Sequence, residues 1–163
     1  MLVKNAMNRN APKIHDKATI KEAAEMMALS QAGELVVMEP GDRVVGMIGS
    51  EEVLRCLIPE YDELLEKGGS PSRLKPQRRS SDTLPRIKVR QVMRPADAPL
   101  DPEQSLESAF GLLLKGGGKT LPVVVGGKFV GSLSAADVAR ALMWRDKVSP
   151  SQLRPQEERR KNQ

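Results

Sequence analysis

The chain has 163 residues, of which 39% are hydrophobic and 29% charged, so it can bury a core without metals or disulfides and is too apolar to be wholly disordered. Aromatic residues make up 2% and the only cysteine is Cys56, which argues against a stacking platform for single-stranded nucleic acid and excludes an intramolecular disulfide or a cysteine-cluster metal site. The formal charge of +5 is concentrated in two places. Lys67, Arg73, Lys75, Arg78, Arg79, Arg86, Lys88 and Arg90 face Asp82 alone, and Arg154, Arg159, Arg160 and Lys161 crowd the last ten residues; such runs usually belong to solvated linkers and tails. Neither a membrane-spanning run nor a signal-type apolar stretch is present, and the expectation is a cytoplasmic protein.

Taken in chain order, the elements occur twice. Val3-Lys4-Asn5-Ala6-Met7 matches Val89-Arg90-Gln91-Val92-Met93, and Met93 minus Met7 gives an offset of 86. The same offset relates Ile20, Ala23, Ala24 and Met27 to Leu106, Ala109, Phe110 and Leu113. Apolar residues at i, i+3, i+4 and i+7 predict one face of a helix in each copy. Thr19 with Glu22 reads as a capping box, and Ser105 as the matching N-cap.

Two short apolar runs follow, predicting strands at Leu35 to Met38 and Leu121 to Val125. Each passes through a turn, Glu39-Pro40-Gly41-Asp42 or Gly126-Gly127, into a further strand at Arg43 to Ile48 or Phe129 to Leu133. Beyond the turn the offset falls to 85, so the one gap lies where a hairpin tolerates it. A second amphipathic helix carries Val53, Leu54 and Leu57, or Val138, Ala139 and Leu142.

The predicted fold is therefore α/β, two β-α-β-β-α repeats that pack about a pseudo-twofold axis because one copy cannot cover its own sheet. The expected divisions are 1–58 for the first repeat, 59–85 for a helix extension at Tyr61 to Lys67 followed by a Pro/Ser/Gly-rich basic linker from Gly68, 86–145 for the second repeat, and 146–163 for a basic tail.

Gly131-Ser132-Leu133-Ser134-Ala135-Ala136-Asp137 carries the candidate chemistry. It runs from a strand into a helix with Ser134 at the N-cap, where free peptide N–H groups and the helix dipole favour an anion. Asp137 lies in the first turn, where a carboxylate can accept hydrogen bonds from two adjacent ribose hydroxyls. Ser-x-x-Asp is equally an ordinary capping box that needs no ligand.

This tandem order, with V-x-x-x-M opening each copy, resembles the CBS-domain pair over about Met1 to Ile58 and Arg86 to Trp144. The segment from Gly131 to Asp137 resembles that family's ribose-phosphate signature G-x-h-[ST]-x-x-[DN]. The resemblance implies a non-catalytic sensor that binds AMP, ADP, ATP or S-adenosylmethionine between its repeats, needs no cofactor, forms homodimers through its helices, and signals to an unknown effector protein. It implies ligand contacts from Gly131, Ser134 and Asp137 and from the Pro122-Val123 strand, with Lys119 within reach of a phosphate. In the first copy, Gly46-Met47-Ile48-Gly49-Ser50-Glu51-Glu52 departs from the signature: Gly49 lacks the hydroxyl, Glu52 is a methylene longer than Asp, and Ser50 offers a cap one residue late. The expectation there is a degenerate half-site, with at most one good site per chain.

Other motifs lead away from catalysis. Gly116-Gly117-Gly118-Lys119-Thr120 follows a helix and enters a strand, opposite to a phosphate-binding loop, and reads as a helix stop. His15 is the only histidine and is expected in a surface loop, so no His triad or His-pair metal site is available. Cys56 reads as a buried inert thiol. The competing reading is a ligand-independent dimeric interaction protein whose basic linker and tail bind polyanions, nucleic acid included.

Overall fold

The computed structural model describes residues 1–58, 61–66, 68, 86–96 and 98–145. The expected tail at 146–163, and the expected linker beyond Gly68 as far as Pro85, lie outside the described residues. In chain order the elements are α1 (Val3–Ala6), β1 (Lys13–His15), α2 (Ile20–Ser30), β2 (Glu34–Glu39), β3 (Arg43–Gly49), α3 (Ser50–Leu57), α4 (Tyr61–Glu66), α5 (Val89–Val92), β4 (Arg94–Pro95), α6 (Leu106–Lys115), β5 (Leu121–Val125), β6 (Lys128–Leu133) and α7 (Ala135–Arg145).

Local chemistry sets the helix ends. The Thr19 hydroxyl accepts the Glu22 N–H at 3.2 Å, while the Glu22 carboxylate accepts the Thr19 N–H at 2.7 Å and its hydroxyl at 2.9 Å. Helix α2 thus starts at a closed capping box and buries Ile20, Ala23 and Met27. Ser105 caps α6 by accepting the Ser108 N–H at 3.2 Å. Helix α6 stops at Gly116, and Gly117 and Gly118 take φ of 72° and 75°, so the glycine run turns the chain rather than holding a phosphate.

Hydrogen bonding from Thr19, first its backbone and then its hydroxyl, lowers the Glu22 carboxyl below its ordinary value. A carboxylate favoured in the fold stabilises it above the unfolded-state value, and that contribution is lost as pH falls through the lowered one. Thr19→Ala is expected to cost about 1 kcal/mol at neutral pH. Urea titrations of both proteins should show the gap narrowing below pH 4.5, the ordinary value for Glu22; a gap independent of pH would rule this cap out as its source.

The strands form one sheet in the order β1-β2-β3-β6-β5, with β4 also pairing β3. Strands β2 and β3 form one antiparallel hairpin and β5 and β6 the other. They meet at their turns, where Arg43 pairs Lys128. There the Val44 N–H donates to the Gly127 carbonyl at 3.1 Å and the Phe129 N–H to the Asp42 carbonyl at 2.9 Å. These are the same bond written twice, since 44 and 42 correspond to 129 and 127, and they mark the pseudo-twofold axis.

The opening segments do not stay with their own repeats. Val3 and Lys4 donate to the carbonyls of Gln104 and Pro102, both at 3.0 Å, and Val89 and Arg90 donate to those of Ala18 and Asp16 at 2.8 and 3.0 Å. Accordingly Val3, Ala6 and Met7 lie in one core with Leu106, Leu113, Val123 and Leu133, while Val89 lies in the other with Ala23, Leu35, Val37 and Ile48. The contiguous divisions at 1–58 and 86–145 therefore describe the duplication in sequence, and the packed halves exchange their first few residues.

Several smaller expectations change. The first strand of the second copy shrinks to one bridge, Leu100 with Val123, where the first copy pairs Ile14 with Val37. His15 lies in β1 rather than a loop, with Nδ1 2.9 Å from Asp16 Oδ1. Cys56 is half-buried rather than buried. Val53 and Val138 are core residues, but Leu54 and Leu142 are exposed, so the second helices keep only part of their apolar face inside.

Candidate functional site

Strand β6 delivers Leu133 into the core and ends, so the next residue, Ser134, begins α7. The Ser134 hydroxyl accepts the Asp137 N–H at 3.3 Å, and Asp137 Oδ2 accepts the Ser134 N–H at 2.9 Å and its hydroxyl at 2.7 Å. The pair is a closed capping box. Asp137 Oδ1 meets only Arg140 Nη2, at 3.4 Å, and that guanidinium donates more strongly to the Ala6 carbonyl, at 2.9 Å. One carboxylate oxygen thus holds the helix start while the other keeps acceptor capacity.

These residues border a cleft of about 360 Å³ whose walls come from both repeats. Asn8, Gly33, Glu34 and Met47 contribute from the first, and Thr120, Ser132, Ser134, Ala136 and Asp137 from the second. Ser132, 4% exposed, lines the cleft. The sequence pattern treats its position as variable. Its place on the wall becomes visible only once β6 is seen against the Asn8 segment, where Asn8 and Ser132 exchange N–H···O bonds of 2.8 and 3.0 Å.

The expected ligand residues are only partly gathered. Ser134 and Asp137 lie on the cleft wall. Gly131 is buried beneath it: a Cβ there would come within 2.9 Å of the Asn8 carbonyl and 3.2 Å of Met7 Sδ, so glycine is needed for backbone approach. Val123 and Pro122, buried in β5, are not among the residues that line the cleft. Lys119 points to Glu51, with Nζ 3.5 Å from Oε2. The cause is the exchange between halves: beside α7 lie not Lys119 and Pro122 but their first-repeat counterparts, Gly33 and Val36.

The equivalent position in the first copy, expected to be a degenerate half-site, is filled by ion pairs. In place of Asn8 it has Arg94, whose guanidinium pairs with Glu34 and whose Nε lies 3.6 Å from Glu52 Oε1. Glu52 Oε2 is already occupied by the Gly49 N–H at 2.7 Å, and Glu34 Oε2 accepts the Thr120 N–H at 2.5 Å. Lys119 and Glu51, standing where the open cleft has Gly33 and Ala136, add a second ion pair. Gly49 is itself the cap residue, and exposed Ser50 is the first helical residue, its N–H given to the Gly33 carbonyl at 3.0 Å; the late cap at Ser50 is therefore not used. A Cβ at Gly49 would lie 3.0 Å from Glu52 Oε2 and 3.3 Å from the Gly33 carbonyl. A serine there would be crowded. Gly46, like Gly131, is held against a neighbouring backbone.

Among the described residues no group of three or more His, Cys, Asp or Glu could hold a metal ion, and no helix is long and apolar enough to cross a membrane. Among curated proteins the sequence finds no match. Solved structures share the fold. CBSX2 from Arabidopsis thaliana aligns with a TM-score of 0.69 at 21% identity, over 91% of this chain and 98% of its own. A CBSX2 complex with AMP gives 0.68 at 22%, over 89% and 98%. The CBS domain pair of MJ0100, solved with 5′-methylthioadenosine and S-adenosyl-L-methionine, gives 0.62 at 16%, over 87% and 99%. The family model described as CBS domain matches twice, at residues 3–59 and 89–143, the same two copies that the internal repeat defines. The chain belongs to the CBS-domain family and is a tandem pair.

Proposed function

We propose that this pair is a regulatory binding module that takes one adenosine-containing ligand per chain in the cleft beside Ser134 and Asp137. The observation that carries this reading is the asymmetry of the two half-sites: one is closed by Arg94, Glu34 and Glu52, and its twin is left open at Asn8, Thr120 and Asp137. AMP on CBSX2 and S-adenosyl-L-methionine on the MJ0100 pair support an adenosine-type ligand. Asp137 Oδ1 would accept ribose hydroxyls, the start of α7 would face a 5′ substituent, and Ser132 would supply a further donor.

The cleft draws its walls from both repeats, so a ligand that fills it has different contact energy in any arrangement that moves one repeat against the other. That differential is the basis of a switch. The output would pass to a second copy of the chain and to a separate effector. Exposed Phe110, Leu114, Leu142 and Met143 on α6 and α7, with Met26, Leu29 and Leu54 on α2 and α3, give the helices apolar surface for the homodimer. The competing polyanion-binding reading rests on residues outside those described.

Calorimetry of the chain against AMP, ADP, ATP and S-adenosylmethionine tests the proposal. One ligand per chain is expected, with affinity reduced more than about tenfold by Asp137→Ala in a protein that stays folded, as loss of a charge-assisted hydrogen bond implies. Absence of binding by all four, or two ligands per chain, would reject it.

A further inference from the structure

The charge around the cleft narrows the ligand, given the proposed site. Among the described residues none of the lining side chains is Lys, Arg or His. Three cations of the two half-sites are engaged elsewhere: Arg140 with the Ala6 carbonyl and Asp137, Arg94 with Glu34 and Glu52, and Lys119 with Glu51. What remains for an anion is the N-terminus of α7, equivalent to roughly half a positive charge, and Asp137 already occupies part of it. Glu34 also lines the wall, with its carboxylate paired to Arg94 and to the Thr120 N–H. Chains of phosphates are ordinarily held by Lys or Arg side chains, and none lines this cleft.

We propose that the cleft selects adenosine-type ligands with no more than one phosphate, and that Gly33, standing where the other half-site has Lys119, sets this limit. A nucleoside with an uncharged or sulfonium 5′ group satisfies Asp137, Ser132 and Thr120 without asking for a cation. A single phosphate can rest on the free N–H groups at the start of α7. Second and third phosphates would find no lining cation to hold them.

The internal duplication supplies the test, because the sealed half-site has Lys119 where the open one has Gly33. A Cβ on Gly33 would find nothing within 4 Å, and its φ is not in the left-handed region, so a lysine is tolerated there. Calorimetry on the full chain is expected to give AMP at least about tenfold tighter binding than ATP, equal to about 1.4 kcal/mol. Gly33→Lys should close most of that gap by strengthening ATP binding, with an effect that fades as salt rises, while Gly33→Ala leaves the ratio unchanged. Wild-type ATP binding as tight as AMP, still dependent on Asp137, would overturn the charge limit and leave the site standing. Equal gains for AMP and ATP in Gly33→Lys would overturn the role of Gly33. If neither nucleotide bound the folded chain, the proposed site and this inference would both fall.

Discussion

Val89→Asp is expected to unfold the core built from residues that precede it in the chain. Val89 opens the second sequence repeat, yet its side chain, with no exposed surface, packs among Ile14, Ala23, Leu35, Val37, Ile48 and Val53. A carboxylate placed there has no partner, and burying it costs several kcal/mol, against a total stability of about 5–15 kcal/mol. For a chain of this size each kcal/mol moves the melting temperature by about 2–4 °C, so a drop of more than about 10 °C is anticipated. Val89→Ala, a milder truncation, should keep the protein folded. In native-state hydrogen exchange it should lower protection first at Leu35 to Val37 and Ile48 in the first half, and leave Val123 and Leu133 in the second half less affected. Protection lost first in the second half would contradict the exchange of opening segments.

That exchange marks the boundary of what one sequence can disclose. The elements themselves are local. The Thr19-Glu22 box, the period of Ile20, Ala23 and Met27, and the turn at Gly126-Gly127 each act over a few residues, and each appears where periodicity and turn chemistry place it. Val3 and Val89 look alike because they do the same work, but alignment cannot say in which half each does it. The choice depends on whether Val3 meets Gln104 or Ala18, about a hundred residues away or about fifteen. No local preference distinguishes the two. The exposed Leu54 and Leu142 show the same limit from the other side, since a helical apolar stripe reads alike whether its own core or another surface covers it.

The site divides in the same way. Ser134 and Asp137 are three residues apart on one helix, so their hydrogen-bonded pairing is legible from spacing alone. Gly33, Glu34 and Asn8 reach them only through the fold, and nothing in their immediate sequence marks them. Lys119 and Pro122 share a repeat with Ser134 and therefore look like its neighbours, whereas the exchange between halves sets their counterparts there. The departures at Gly49 and Glu52 mark the first copy as different from the second. That Arg94 closes it follows only from seeing β4 laid along β3, which brings the Arg94 guanidinium to Glu34 and Glu52.

Gly46→Ala and Gly131→Ala should be far more damaging than a single methyl group suggests. A Cβ on Gly46 would stand 2.7 Å from the Arg94 carbonyl and 2.8 Å from Met93 Sδ; on Gly131 it would stand 2.9 Å from the Asn8 carbonyl. The methionine can turn away, but the carbonyls belong to backbone paired with β3 and β6, by Met47 with Arg94 and by Ser132 with Asn8. Relief requires the pairing itself to open, at roughly 1–3 kcal/mol for an overpacked site and more for valine. Gly111 provides the internal control: it lies in α6 with nothing within 4 Å of its Cβ, so Gly111→Ala should stabilise by about 0.5–1 kcal/mol. Thermal melts of the three variants would settle the sign, and a silent Gly46→Ala would deny the close approach. The two damaging variants should also differ from each other in binding. Gly131→Ala pushes Asn8 from Ser132 on the open cleft and should weaken the ligand, whereas Gly46→Ala strains the sealed side and should cost stability with less loss of affinity. Glycine in this signature therefore acts by letting two backbones touch, and the ligand depends on it through the wall that contact builds.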